Sequence, residues 1–181
     1  MRARSAVVRR QVHGMAVVVE PTPTGPPPAD VLSRLDEALA LIAAVHPWRL
    51  VHLRRDVTEI RVIRFPCRGA YLRDVRAIVC ELSFLGRRDL TAAPVAASLL
   101  HEGVHARVQV MATRWGWSME RDAAAEERLC RRAELAFGYA LPPALGAPVI
   151  ARAAGALALD DASVAPVVDW AEAMARLEAG R

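Results

Sequence analysis

Residues 101–105 read His-Glu-Gly-Val-His, inside an apolar stretch, residues 96–112, whose spacing predicts a helix. On a helix, side chains four apart share a face, so His101 and His105 project the same way one turn apart. Leu99, Leu100, Val104 and Val108 surround them, which requires part of this helix to be buried. Two imidazoles and a carboxylate are costly to bury unless something satisfies them. A metal ion held between two His at this spacing does so, and Glu102 is placed to polarise a metal-bound water. Gly103, in the helix interior, costs about 1 kcal/mol relative to Ala; a close approach to the backbone would explain it. The chain must therefore bury a polar helix and supply the rest of a coordination shell. Zinc is the expected ion, although imidazole and carboxylate also suit manganese and nickel.

A catalytic zinc takes three protein ligands and leaves one position for water. No His follows His105; His13, His46 and His52 all precede the motif. Downstream, Glu120, Asp122, Glu126, Glu127 and Glu134 fall on a second helical stretch, residues 119–139. Leu129, Ala133, Ala136, Phe137 and Ala140 mark its expected buried side, while Glu127, Cys130 and Glu134 share a stripe. Glu127 is favoured as the third ligand. Glu126, about 100° round the helix, is the alternative. Without a metal, both belong to a solvated acidic face paired with Arg. Glu134 is a candidate acceptor for the N–H of a ligating His. Tyr71 and Tyr139, the only tyrosines, are candidate oxyanion donors, with half-buried packing as the alternative. His46 and His52 are weaker candidates for that role. Cys130 reads as a small buried hydrophobe, with a position near the metal as the alternative. Trp115 and Trp117, between the two helices, read either as a lid or substrate pocket or as packing of the turn.

The string His101-Glu102-Gly103-Val104-His105-Ala106-Arg107, with Glu127-Arg128-Leu129-Cys130 and Leu135-Ala136-Phe137 after it, resembles a group of small bacterial zincin-motif proteins. More broadly it is similar to the compact gluzincins, the minimal thermolysin-like metallopeptidases. The resemblance covers residues 29–141. It implies a short sheet, an active-site helix and a following helix that bears a Glu ligand. It implies a zinc site of His101, His105 and Glu127, with Glu102 as general base. It implies no particular substrate, and the Tyr or His that such enzymes aim at the oxyanion has no evident counterpart here.

The 24 basic residues are all Arg, are spread along the chain among 20 acids, and leave a formal charge of +4. No compact basic run marks a nucleic-acid footprint. A hydrophobic content of 54% is enough for a sizeable core. Cys67, Cys80 and Cys130 fit no C-x-x-C pattern, which favours a reduced, cytoplasmic setting. No apolar run reaches the roughly 18 residues of a membrane span. Residues 15–19 are too short for a signal peptide, and Met15 is an alternative start.

The expected organisation is α+β: a minimal zincin-like fold in which a small antiparallel three-stranded sheet packs on the active-site helix and the glutamate-bearing helix. Residues 1–28 read as an irregular Pro-rich leader, 29–141 as the metal-binding domain, and 142–181 as an Ala- and Pro-rich extension with one helix. The first helix runs from an Asp30 cap to Val45, and Pro47 ends it. Strands are expected at 50–53, 60–65 and 71–82. Thr91 caps the active-site helix, with Pro94 in its first turn. The last helix spans 164–177, led by Ser163 and anchored by Trp170. Function is expected to be zinc-dependent hydrolysis of a peptide or protein substrate. The alternative is a non-catalytic zinc module that captures a partner protein through its C-terminal extension.

Overall fold

The structure, a computed structural model, describes residues 6–116 and 122–179. Val8–Val12 (β1) and Met15–Val19 (β2) pair as an antiparallel hairpin. His13 and Gly14 form its two-residue turn, both at positive φ, a geometry whose twist matches paired strands. The expected irregular leader is thus corrected over 8–19. Val8 and Val12 flank polar residues in an edge strand, and residues 15–19 are a buried strand. The Pro-rich part that follows, residues 20–27, is irregular.

Pro28–Val45 (α1) starts on Pro28, with Pro27 as its cap, and Asp30 stands in its first turn rather than capping it. Pro47–Asp56 (α2) replaces the strand expected at 50–53. Proline fits the first helical turn, and Leu50 and Leu53 are buried while Trp48 and Val51 are exposed, a helical rather than alternating pattern. Glu59–Ile63 (β3) does alternate, with Ile60 and Val62 buried. The expected third strand divides into Gly69–Leu72 (β4) and Ala77–Glu81 (β5). The break falls at residues 73–76, where Arg76 has φ 53°. Leu82–Leu85 (α3) follows, capped by the Glu81 carboxylate.

The strand order is β1-β2-β3-β5-β4. β1–β2 and β4–β5 are antiparallel, whereas β2–β3 and β3–β5 are parallel. The α+β class holds, but the sheet has five strands and is mixed, not three and antiparallel. Parallel neighbours need a long crossover, which α1 and α2 supply between β2 and β3.

Ala93–Trp115 (α4) carries the His-Glu-x-x-His string. Pro94 lies in its first turn, but its N-cap is Ala92, without a side-chain cap, rather than Thr91. Gly116 closes it in the left-handed conformation. Ala123–Ala140 (α5) begins at Asp122, whose carboxylate accepts from the Ala124 and Ala125 amides. Trp117 and Glu120 lie outside the described residues. The extension then holds three helices rather than one: Pro143–Leu157 (α6), Asp161–Val164 (α7) and Trp170–Ala179 (α8). Asp160, not Ser163, caps α7, accepting from the Ser163 amide.

Sheet residues Val17, Val19, Ile60, Val62 and Ile78 share one core with Leu35, Leu39 and Ile42 of α1 and Leu99 and Leu100 of α4. Helix α5 packs between α4 and α6, so residues 143–157 belong to the body. On α5 the buried residues are Ala124, Cys130, Ala133, Glu134, Phe137 and Gly138; Leu129, Ala136 and Ala140, expected to be buried, are exposed. Gly103 does face a close approach, but from Leu53 of α2, whose Cδ2 would lie 2.5 Å from an added Cβ. No helix among the described residues is long and apolar enough to cross a membrane.

The α5–α6 contact is closest where Gly146 meets the Gly138 carbonyl, which an added Cβ would strike. A carbonyl cannot yield as a side-chain end does. Gly146→Ala is expected to cost about 1–3 kcal/mol by overpacking, read as a lowered midpoint in urea denaturation; an unchanged midpoint would show that the two helices separate freely.

Candidate metal centre

Helices α4 and α5 run as neighbours joined by a short connection, and this fixes which residues meet. His101 is 6% exposed and Glu102 7%, so both need partners from outside their own helix. Glu127 faces both imidazoles: its Oε2 lies 3.2 Å from His101 Nε2 and its Oε1 3.1 Å from His105 Nε2. The other ring nitrogens turn away to separate carboxylates. His101 Nδ1 donates to Glu134 Oε1 at 2.6 Å and His105 Nδ1 to Glu126 Oε1 at 2.7 Å. The pairing is antiparallel: the earlier His meets the later Glu. The two Nε2 atoms thus converge while both Nδ1 atoms are fixed from behind, the orientation in which carboxylates hold ligating imidazoles.

The carboxylates are anchored in turn. Glu126 also takes Arg73 Nη2 at 2.7 Å. Glu134, fully buried on α5, takes Arg131 Nη1 at 2.7 Å on Oε1 and Arg152 Nη1 of α6 at 2.8 Å on Oε2. Arg107, the last residue of the His-Glu-Gly-Val-His-Ala-Arg string, points elsewhere. It lies 3.6 Å from buried Asp56 of α2 and ties α4 to that helix.

Cys130, one turn beyond Glu127, is fully buried. Its Sγ and one nitrogen of each His lie within 4.8 Å of one another, so His101, His105 and Cys130 form a group that can hold a metal ion. Burial pushes the Cys130 thiol up to about 11. Burial lowers the His105 pKa, but hydrogen bonds with Cys130, Glu126 and Glu127 override it and push it up to about 12. His101 is raised likewise, its desolvation outweighed by Glu127 and Glu134. Burial would raise Glu127, but its bonds to both His hold it well below the usual carboxylate range. Glu102 moves the opposite way: burial raises it, with the two His opposing. The two carboxylates, one on α4 and one on α5, are thereby shifted in opposite directions.

His101, Glu102, His105, Glu126, Glu127 and Glu134 line a cleft of about 720 Å³. Gly69, Ala70 and Tyr71 of edge strand β4 form one wall, and Val164 to Val168 with Trp170 form another. Gly69 leaves room for the motif: a Cβ there would lie 3.0 Å from Ser98 Oγ and 3.3 Å from Glu102 Oε1. Tyr71 reaches the cleft, but its hydroxyl donates to Gln109 Oε1 at 2.6 Å. Tyr139, at 69% exposure, does not line it. His46 stacks near Trp48 and Phe137, and His52 near Trp48; neither reaches the cleft. Trp115 is exposed at the end of α4. Glu127 and Glu126 both meet His105, but only Glu127 also meets His101.

Reading the sequence missed Arg131, Arg152 and the wall at 164–170. Arg131 carried a local signal, standing one turn after Glu127 and one before Glu134. The other two depend on where α6 turns the chain. Among known proteins, no family, no curated protein and no solved structure matches this chain.

All four imidazole nitrogens face carboxylate oxygens, which favours the doubly protonated form of both rings. Two Nε2 protons must leave before these atoms can ligate. Uptake of one divalent ion near neutral pH is expected to release about two protons, measured by calorimetry in buffers of different ionisation heat. Uptake without proton release would mean that the imidazoles stand neutral.

Proposed function

We propose that this chain is a zinc-dependent hydrolase of peptide bonds, of the compact gluzincin type, with His101, His105 and Glu127 as ligands and Glu102 as general base. The observation that carries this is the convergence of Glu127 on both Nε2 atoms, with both Nδ1 atoms already bound. Zinc–nitrogen and zinc–oxygen bonds of about 2.0–2.2 Å at tetrahedral angles separate donors by about 3.4 Å. The contacts of 3.1 and 3.2 Å between Glu127 and the two rings are near that spacing, and a neutral imidazole pair with one carboxylate is a donor set zinc favours.

When bound, zinc lowers the pKa of a coordinated water to near neutrality and polarises a carbonyl. The chain's own groups do the rest. Glu102, with its raised pKa, takes a proton from water and passes it to the leaving amine. Glu134 and Glu126 keep the imidazoles in one tautomer. The open edge of β4 pairs with an extended substrate backbone by strand addition. Tyr71, on that strand, is the tyrosine that lines the cleft.

Glu102→Gln is expected to keep about one zinc per chain, by elemental analysis, while peptide hydrolysis falls about 10²–10⁴-fold; retained turnover removes Glu102 from the role. His105→Ala and Glu127→Ala are expected to lose the metal.

One observation favours a second reading. Cys130 lies close enough to both His to ligate. Were it to join Glu127, all four positions would be filled, as in structural zinc sites, and the module would act through a partner protein rather than by catalysis. Cobalt substitution separates the two: a thiolate charge-transfer band lost in Cys130→Ser marks the closed site, and its absence the open one.

A further inference from the structure

The cleft is electrically lopsided. On the His105 side, Glu126 meets one cation, Arg73. On the His101 side, Glu134 is the one carboxylate bonded to both Arg131 and Arg152. Arg68 adds a third guanidinium. It lies close enough to Arg152 for their like charges to interact, it lines the same cleft, and its described contact is with the Phe84 ring, 5.1 Å from the centroid. Arg131 Nε is buried and has no hydrogen-bond partner among the described residues. Arg131 and Arg152 share the Glu134 carboxylate, and Arg68 has no bonded carboxylate among the described residues.

Guanidiniums seldom stand near one another without an anion, and their planar fork matches a carboxylate. We infer that Arg68, Arg131 and Arg152 form a carboxylate-binding subsite on the His101 side of the cleft, which selects peptides bearing a negative charge beside the bond to be cut. The inference rests on the peptidase reading for what the carboxylate belongs to, but the arginine cluster itself does not depend on the metal. Two sources supply that group: the free α-carboxylate of a peptide C-terminus, or an acidic side chain within the peptide. Arg131 is the most enclosed of the three, with 18% of its side chain exposed, and Arg152 has 37%. Arg68 is exposed and is the first contact for an arriving anion.

The test uses the full-length chain with Glu102→Gln, so that nothing is consumed, and measures zinc content on every sample. Three peptides are titrated by calorimetry: acetyl-Ala-Ala with a free carboxylate, its neutral amide, and acetyl-Ala-Asp-amide. At least one carboxylate peptide is expected to bind about tenfold more tightly than the neutral amide, the scale of one charged hydrogen bond. The preferred peptide identifies the source. The preference should fall in Arg68→Gln, which removes an exposed side chain outside the His–Glu network and so leaves folding intact, and fall further in Arg152→Gln. Equal binding of all three peptides, no binding of either carboxylate peptide at millimolar concentration, or a preference unchanged in both variants overturns the subsite. Zinc bound without a charge preference leaves the hydrolase reading standing and removes this one. A charge preference in a chain that takes up no zinc does the reverse.

Discussion

Two imidazoles buried on one helix are the constraint from which the rest of this architecture follows. A buried His has two nitrogens to satisfy, and α4 cannot satisfy them itself because its backbone groups are already paired. Helix α5 meets the need with carboxylates on adjacent faces: Glu127 between the rings, Glu126 and Glu134 behind them. Those carboxylates are themselves drawn out of water and need cations, which Arg73, Arg131 and Arg152 provide. Each layer of charge is answered by the next, out to the surface. Such networks stabilise only when complete, since a missing partner strands a buried charge. The docking of α6 is part of that requirement, because Arg152 comes from it.

The centre of this arrangement was legible in the sequence because it is local. A four-residue spacing fixes a helical face whatever the tertiary fold, and the 3–4 stripe of Glu127, Cys130 and Glu134 on α5 is the side that turns inward. The apolar residues chosen to mark that side were less reliable: Ala133 and Phe137 are buried, but Leu129 is exposed. Such a helix misleads a hydrophobicity argument, because it buries Glu134 as fully as Cys130 and Phe137.

The sheet was harder to read, for a different reason. Residues 15–19 form a run with no alternation, with side chains pointing to both faces buried, and such a run has no strand signature of its own. The helix at 47–56 was misread because Leu-Val-His-Leu fits a short strand as well as half a helical turn pair; Pro47 at its start was the overlooked evidence. Extended pairing between β2 and β3 spans two helices, and no local pattern announces it. The division of 71–82 into two strands turns on Arg76 adopting a left-handed backbone, a choice that an arginine gives no warning of.

The wall formed by residues 164–170 has a consequence for the size of what the cleft can admit. Its near end is clamped: Arg128 donates to the Leu157 and Leu159 carbonyls and pairs with Asp161. Beyond that clamp, its aromatic contact with the body is Trp170 stacked on Phe65, 5.4 Å between centroids, and α8 buries none of its residues fully. A stack of that kind contributes about 0.5–1.5 kcal/mol. The wall is thus tied to the body at two places, by the Arg128 contacts at one end and by one aromatic stack at the other. One side of the cleft is therefore built by residues 164–170, far along the chain from the His pair that it faces, so the shape of the cleft depends on how that late segment is seated.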